Sequence, residues 1–158
     1  MSGRSTPATV AADCAKVRYV LHEYTHDPAE RNFGEEAARG IGADTSRVFK
    51  TLVVDADGKL ALAMVPVARQ LDLKAAATAL HAKRAELADP AKAERATGYV
   101  VGGISPIGGK KSLPALLDES AFTFETVFVS AGRRGLQMEL SPADLQALTT
   151  ATPAPLAR

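Results

Sequence analysis

The strongest apolar patterning lies in the middle of the chain. Residues 47–54 (RVFKTLVV) and 59–67 (KLALAMVPV) are rich in β-branched and other apolar side chains and predict two strands. Asp55-Ala56-Asp57-Gly58 separates them, a hairpin signal in which glycine supplies a positive φ. A second pair is predicted at residues 124–130 (FETVFVS) and 136–140 (LQMEL), joined by Ala131-Gly132-Arg133-Arg134-Gly135. Residues 18–24 (RYVLHEY) predict a further strand, followed by a turn through residue 31 in which Asp27-Pro28 is the breaker. Helices are expected over residues 8–16, which are alanine-rich, and over 34–39, ended by Gly40. Others are expected from an Asp72 cap to Ala79, from Asp89-Pro90, and from Ser141-Pro142 to about Leu148. Residues 1–7 and the Pro- and Ala-rich residues 150–158 read as loose termini.

Adjacent hairpins without regular βαβ alternation favour an α+β domain. Its sheet should be curved, largely antiparallel or mixed, barrel-like, and flanked by short helices. The chain has 158 residues, enough for one ordinary core, and neither a repeat nor a linker divides it, so residues 1–158 read as a single domain.

Composition narrows the class of function. The formal net charge is +1, which argues against holding nucleic acid by bulk electrostatics; any RNA contact should be local. The one cysteine, Cys14, leaves no intramolecular disulfide. No apolar run approaches a bilayer span, and the first residues lack a secretory pattern, so a cytoplasmic location is expected and no membrane partner.

Several segments carry possible chemistry. His22-Glu23-Tyr24-Thr25-His26 has the H-E-x-x-H spacing of zinc peptidases, which needs a helix to bring both histidines to one face. Here the preceding residues favour a strand and Asp27-Pro28 stops a helix at once, so no metal site is expected. Cys14 sits in an alanine-rich stretch without a basic partner and reads as a packing residue. Lys50 is more informative. Alternation puts it on one strand face with Val48, Leu52 and Val54, so its ammonium either reaches solvent or enters a cleft. A lysine in a cleft can bind a hydroxyl, carboxylate or phosphate. Residues 98–111 (GYVVGGISPIGGKK) form an unusual loop, with four glycines and one proline between Gly102 and Gly109. Such a loop lets backbone approach a ligand and can present N–H groups to developing negative charge. The basic pairs Lys83-Arg84, Lys110-Lys111 and Arg133-Arg134 could meet phosphates if they flank a pocket.

FKTL around Lys50, GYVVGGISPIG at 98–108 and VSAGRRGLQMEL at 129–140 resemble the YbaK family. That family comprises bacterial Cys-tRNA(Pro) deacylases related to the editing domain of some prolyl-tRNA synthetases. LHEYTHDP, FGEEAA at 33–38 and ADPAKAERATGY at 88–99 fit as well, so the resemblance spans about residues 10–148. It implies a mixed α/β fold with a surface pocket, in which Lys50 and Gly103 are the catalytic positions. Tyr24, Phe33, Thr51, Gly102, Ser105 and Ser130 are implied as substrate-binding residues. It also implies no cofactor, no metal and no protein nucleophile. The implied partners are the acceptor end of an aminoacylated tRNA and, transiently, prolyl-tRNA synthetase. The implied activity is trans-editing of Cys-tRNA(Pro), with the substrate's own thiol expelling the tRNA. Alternatives are a deacylase for another small amino acid such as alanine, or a non-catalytic module that binds tRNA or a synthetase.

Overall fold

A computed structural model describes residues 4–158. Its order is α1 (Pro7–Cys14), β1 (Val20–Glu23), α2 (Phe33–Ile41), β2 (Phe49–Ala56), β3 (Lys59–Pro66), α3 (Leu73–Ala79), β4 (Ala85–Leu87), α4 (Pro90–Thr97), β5 (Ala115–Asp118), a 3-10 turn (Glu119–Thr123), β6 (Val127–Arg133), β7 (Leu136–Leu140), α5 (Pro142–Thr149) and β8 (Thr152–Ala154).

Local chemistry accounts for most of these boundaries. Asp72, Asp89 and Ser141 each accept from a first-turn amide of the helix they precede, and Pro90 and Pro142 occupy its first turn. The β2–β3 connection is two residues long, with Asp57 at φ 52° and Gly58 at φ 88°, as a type I′ turn requires. The Asp57 carboxylate also accepts from the amides of Lys83 and Arg84, which ties this turn to the start of β4.

Among the described residues eight strands form two sheets. One is antiparallel, in the order β1-β7-β6; the other runs β4-β2-β3-β5-β8. Within the second, β4, β2 and β3 pair antiparallel, whereas β3-β5 and β5-β8 are parallel. The sheets meet at a single bridge between Val48 and Phe128, where the Phe128 amide donates to the Arg47 carbonyl at 3.0 Å. The α+β class is therefore found, but the barrel-like curvature does not close, because among the described residues only this bridge joins the two sheets. The main core lies between them and includes Phe49, Met64, Leu117, Val129, Leu136, Met138 and Leu145. A second cluster packs α3 on the other face of the larger sheet, through Val54, Ala63, Leu71, Ala76 and Leu156.

Four sequence expectations are corrected. Residues 1–3 lie outside the described residues, but Thr6 is buried, caps α1 in a reciprocal capping box with Thr9, and donates to the Ala131 carbonyl; this end is anchored, not loose. Residues 150–158 are also built in. β8 completes the larger sheet, Leu156 is fully buried, and Asp118 accepts from the amides of Leu156 and Ala157. The second helix does not end at Gly40 but runs to Ile41, and Gly42 at φ 69° caps it. Gly40 is glycine for another reason: an added Cβ would lie 2.5 Å from Tyr24 Cβ. Finally, β4, β5 and β8 were not foreseen.

Candidate active site

A cavity of about 590 Å³ opens between β2, the start of α2, the glycine loop and the β4–α4 connection. Its walls are mainly apolar, among them Val48, Leu52, Val67, Leu87, Ala93 and Ile104. Lys50 is half-buried in this wall, opposite Val65 of β3. It makes no hydrogen bond or ion pair among the described residues. Burial lowers its pKa from the ordinary lysine value, partly opposed by the negative charge of Glu35. Of the two possibilities open in sequence, the ammonium is therefore the one in the cleft.

The facing wall is held by several contacts. Phe33 opens α2 behind an Asn32 cap and lines the cavity. The Arg134 guanidinium lies 4.8 Å from the centre of the Phe33 ring and donates through Nε and Nη2 to the Val101 carbonyl, at 2.9 and 2.6 Å. Gly102, at φ 89°, passes beneath this stack, and a Cβ there would meet both Phe33 and Arg134 at 2.8 Å. The turn between β6 and β7 thus fastens the glycine loop against α2.

The structure brings Lys50, Thr51, Phe33, Gly102 and Ser130 to one cavity. Gly103 is buried just behind its wall. A Cβ there would lie 2.8 Å from Arg133 Cα, and its amide is occupied by the Val100 carbonyl at 2.9 Å. Its neighbours Gly102 and Ile104 line the cavity, and their amides donate to nothing among the described residues. Ser105 does not face this cavity. It borders a separate hollow of about 140 Å³, and its hydroxyl accepts from the Ile107 amide. Tyr24 also lies outside the lining and packs against Gly40. Burial raises its pKa, and hydrogen bonds from Gly135 and the Gln137 side chain oppose this.

Gln137, as a cavity residue, and Arg134, as the clamp on Phe33 and the glycine loop, went unnoticed in the sequence. Arg134 was visible only as half of a basic pair. The other two pairs lie elsewhere, Lys83-Arg84 at the β2–β3 turn and Lys111 beside the smaller hollow.

The H-E-x-x-H stretch is dispersed. His22 is in β1 and hydrogen-bonds Glu139 at 2.8 Å; His26, in the following loop, hydrogen-bonds Glu36 at 2.7 Å. The buried Glu36 also accepts from the Asp27 amide, and the His26 ring lies 5.9 Å from that of Phe33. The two histidines thus brace sheet and helix separately. Among the described residues no three His, Cys, Asp or Glu side chains are grouped to hold a metal ion. No helix there is long and apolar enough to cross a membrane.

A partnerless lysine in an apolar cavity, faced by a glycine loop with free amides, defines a site for an uncharged or anionic polar group. The fold around it is that of the aminoacyl-tRNA editing domains: residues 27–148 match that family, and the chain belongs to it. Over 136 residues the chain is 38% identical to the Enterococcus faecalis protein assigned as a Cys-tRNA(Pro)/Cys-tRNA(Cys) deacylase, EbsC, covering 85% of this chain and 82% of that one. A solved structure of a protein assigned as a trans-editing enzyme for prolyl tRNA synthetase superposes with a TM-score of 0.84 at 27% identity. That match covers 100% of this chain and 99% of that one. The proline–tRNA ligase of Acidithiobacillus ferrooxidans is 34% identical over 99 residues, which is 63% of this chain but 17% of the ligase.

Proposed function

We propose that this chain, acting as a single editing domain, is a free-standing deacylase that hydrolyses Cys-tRNA(Pro). The observation that carries this reading is the half-buried, partnerless Lys50 in the cavity closed by the glycine loop. The likeness to EbsC supports cysteine as the amino acid. The partial match to a proline–tRNA ligase supports work alongside that synthetase, by transient association in the cytoplasm. The near-neutral net charge suits a protein that grips only the acceptor end of the tRNA.

Such an editor answers a selection problem. Cysteine and proline are similar in size, and one methylene separates substrates by only about 1–3 kcal/mol. In the proposed reaction the cysteine sulfur, as thiolate, attacks its own ester carbonyl. The bond to the ribose oxygen breaks, and that oxygen leaves with a proton as the tRNA hydroxyl. Water then opens the cyclic thioester to free cysteine. Catalysis is by orientation: the apolar walls and the Phe33–Arg134 stack fold the aminoacyl end into attack geometry. The amides of Gly102 and Ile104 donate to the developing oxyanion, and Gly103 shapes the loop that aims them. Lys50 holds the terminal ribose oxygen rather than attacking the carbonyl. Thr51 and Ser130 supply polar contacts in the same cavity. Ser105 is left out of the cavity set.

The test is deacylation of Cys-, Ala- and Ser-tRNA(Pro) by the purified chain, with a chelator present. Loss of the cysteinyl ester alone is expected. Loss of the alanyl or seryl ester would mean that water is the nucleophile and would overturn the thiol mechanism. Tight binding of all three without turnover would replace the enzyme with a binding module.

A further inference from the structure

Glu36 is a buried carboxylate that the mechanism above does not use, and His26, the second histidine of the H-E-x-x-H stretch, has no role in it either. The two are joined. His26 Nδ1 hydrogen-bonds one carboxylate oxygen of Glu36 at 2.7 Å, and the other oxygen accepts from the Asp27 amide at 2.7 Å. The imidazole held in this way stands beside Phe33, with ring centres 5.9 Å apart and planes tilted by 41°. Glu36 follows Phe33 by three residues on α2, so both side chains lie on one face of that helix.

The same phenyl ring meets the Arg134 guanidinium, which in turn holds the Val101 carbonyl. Val101 lines the cavity, and its amide donates to Glu94 of α4 at 2.7 Å. An unbroken series of contacts thus runs from Glu36 through His26, Phe33 and Arg134 to the glycine loop. There is no slack in it at Gly102, where a Cβ would meet both Phe33 and Arg134 at 2.8 Å. Two of the three guanidinium nitrogens of Arg134 go to one carbonyl while the group lies over an aromatic ring, a combination that lysine cannot reproduce. We propose that His26, anchored by Glu36, is a positioning residue of the active site, acting on the glycine loop through Phe33 and Arg134. Its kinetic consequence rests on the deacylase reading, since orientation catalysis loses on the order of 100-fold in rate when a reacting group is misplaced by about 1 Å.

The experiment has a structural arm and a kinetic arm. His26→Asn keeps a hydrogen-bonding group for Glu36 and removes the ring beside Phe33. Among the described residues His26 makes no hydrogen bond, ion pair or ring contact with the glycine loop. In the free protein, hydrogen exchange at the bonded amides of Val101 and Gly103 should nonetheless quicken about 3- to 10-fold in His26→Asn and in Arg134→Lys. Neither substitution should quicken it further in a Phe33→Leu background. On Cys-tRNA(Pro), kcat should fall about 10- to 100-fold in Arg134→Lys and less in His26→Asn, with KM held within about twofold. Glu36→Gln, which weakens the hold on His26, should show a smaller effect of the same pattern. Unchanged exchange at Val101 and Gly103 in His26→Asn overturns the proposal, as does equal quickening in the core strand β3, which would mark general destabilisation. Losses that add fully to that of Phe33→Leu also overturn it. So does an Arg134→Lys variant with wild-type kcat, or an Arg134→Gln variant that loses only KM and about 0.7 in the slope of log kcat/KM against log salt, since Arg134 would then bind a tRNA phosphate. A wild-type protein inactive on Cys-tRNA(Pro) would refute the deacylase reading, and with it the claim that these residues position an active site, even where the exchange pattern holds.

Discussion

Asp118 and Gln137 are both strand residues, exposed by only 3% and 6%, and the molecule treats them in opposite ways. Asp118, at the end of β5, accepts from the amides of Ser120, Leu156 and Ala157. Burial pushes its carboxyl up, and these hydrogen bonds outweigh burial and hold its pKa below the ordinary value. Around the large cavity, by contrast, Gln137 Oε1 and Thr51 Oγ1 have no partner among the described residues, and the Lys50 ammonium has neither a hydrogen bond nor an ion pair there. One region spends its buried polar groups on joining chain segments. The other leaves them without partners, at a cost in stability.

The sharpest way to break this contrast is Lys50→Met. Hydrolysis of Cys-tRNA(Pro) should fall by about 100-fold or more, as when a preorganised electrostatic contact is removed, while the thermal midpoint holds or rises. Turnover at the wild-type rate would take Lys50 out of the site. The pH dependence has a definite sign. Because the folded-state pKa of Lys50 is lowered, the unfolded chain binds more protons between the folded and unfolded values. Wild-type stability should therefore gain from this residue as pH rises through that window, and Lys50→Met should lose that gain when unfolding is followed by urea titration.

Asp118→Asn should do the reverse, lowering stability by about 1–3 kcal/mol while leaving kcat/KM of the folded fraction unchanged. Since the folded-state pKa is lowered, the wild-type contribution is present above the unfolded value and lost as pH falls through the folded one. Acid unfolding of the variant should accordingly be shallower. The smallest effect is expected at Ser105. Its hydroxyl serves one local amide beside the smaller hollow, so Ser105→Ala should cost about 1 kcal/mol or less and leave deacylation intact. A large kinetic defect there would extend the site beyond the cavity.

Much of this contrast was legible in the sequence where chemistry is local. The helix caps at Asp72, Asp89 and Ser141 and the Asp57-Gly58 turn act over a few residues, and the sequence reading placed them correctly. Lys50 stood out because a charge interrupted an apolar strand. β5 and β8 did not stand out. Each is short, and their pairing is parallel and distant, with Leu116 opposite Thr152. The closing Pro-Ala tail has no alternation to reveal that Leu156 is core.

By itself, then, the sequence determined the helix starts, the two hairpins, the glycine loop and the candidate lysine, since each depends on neighbours along the chain. Only the tertiary structure decided which face of each strand became an interior. In β7, Gln137 alternates with Leu136 and Met138, and that pattern alone describes a residue turned to water. Packing of α2 and the glycine loop around the same cavity makes its environment buried and its oxygen unpartnered. Burial is a property of what distant segments place over a residue, and no local pattern encodes it.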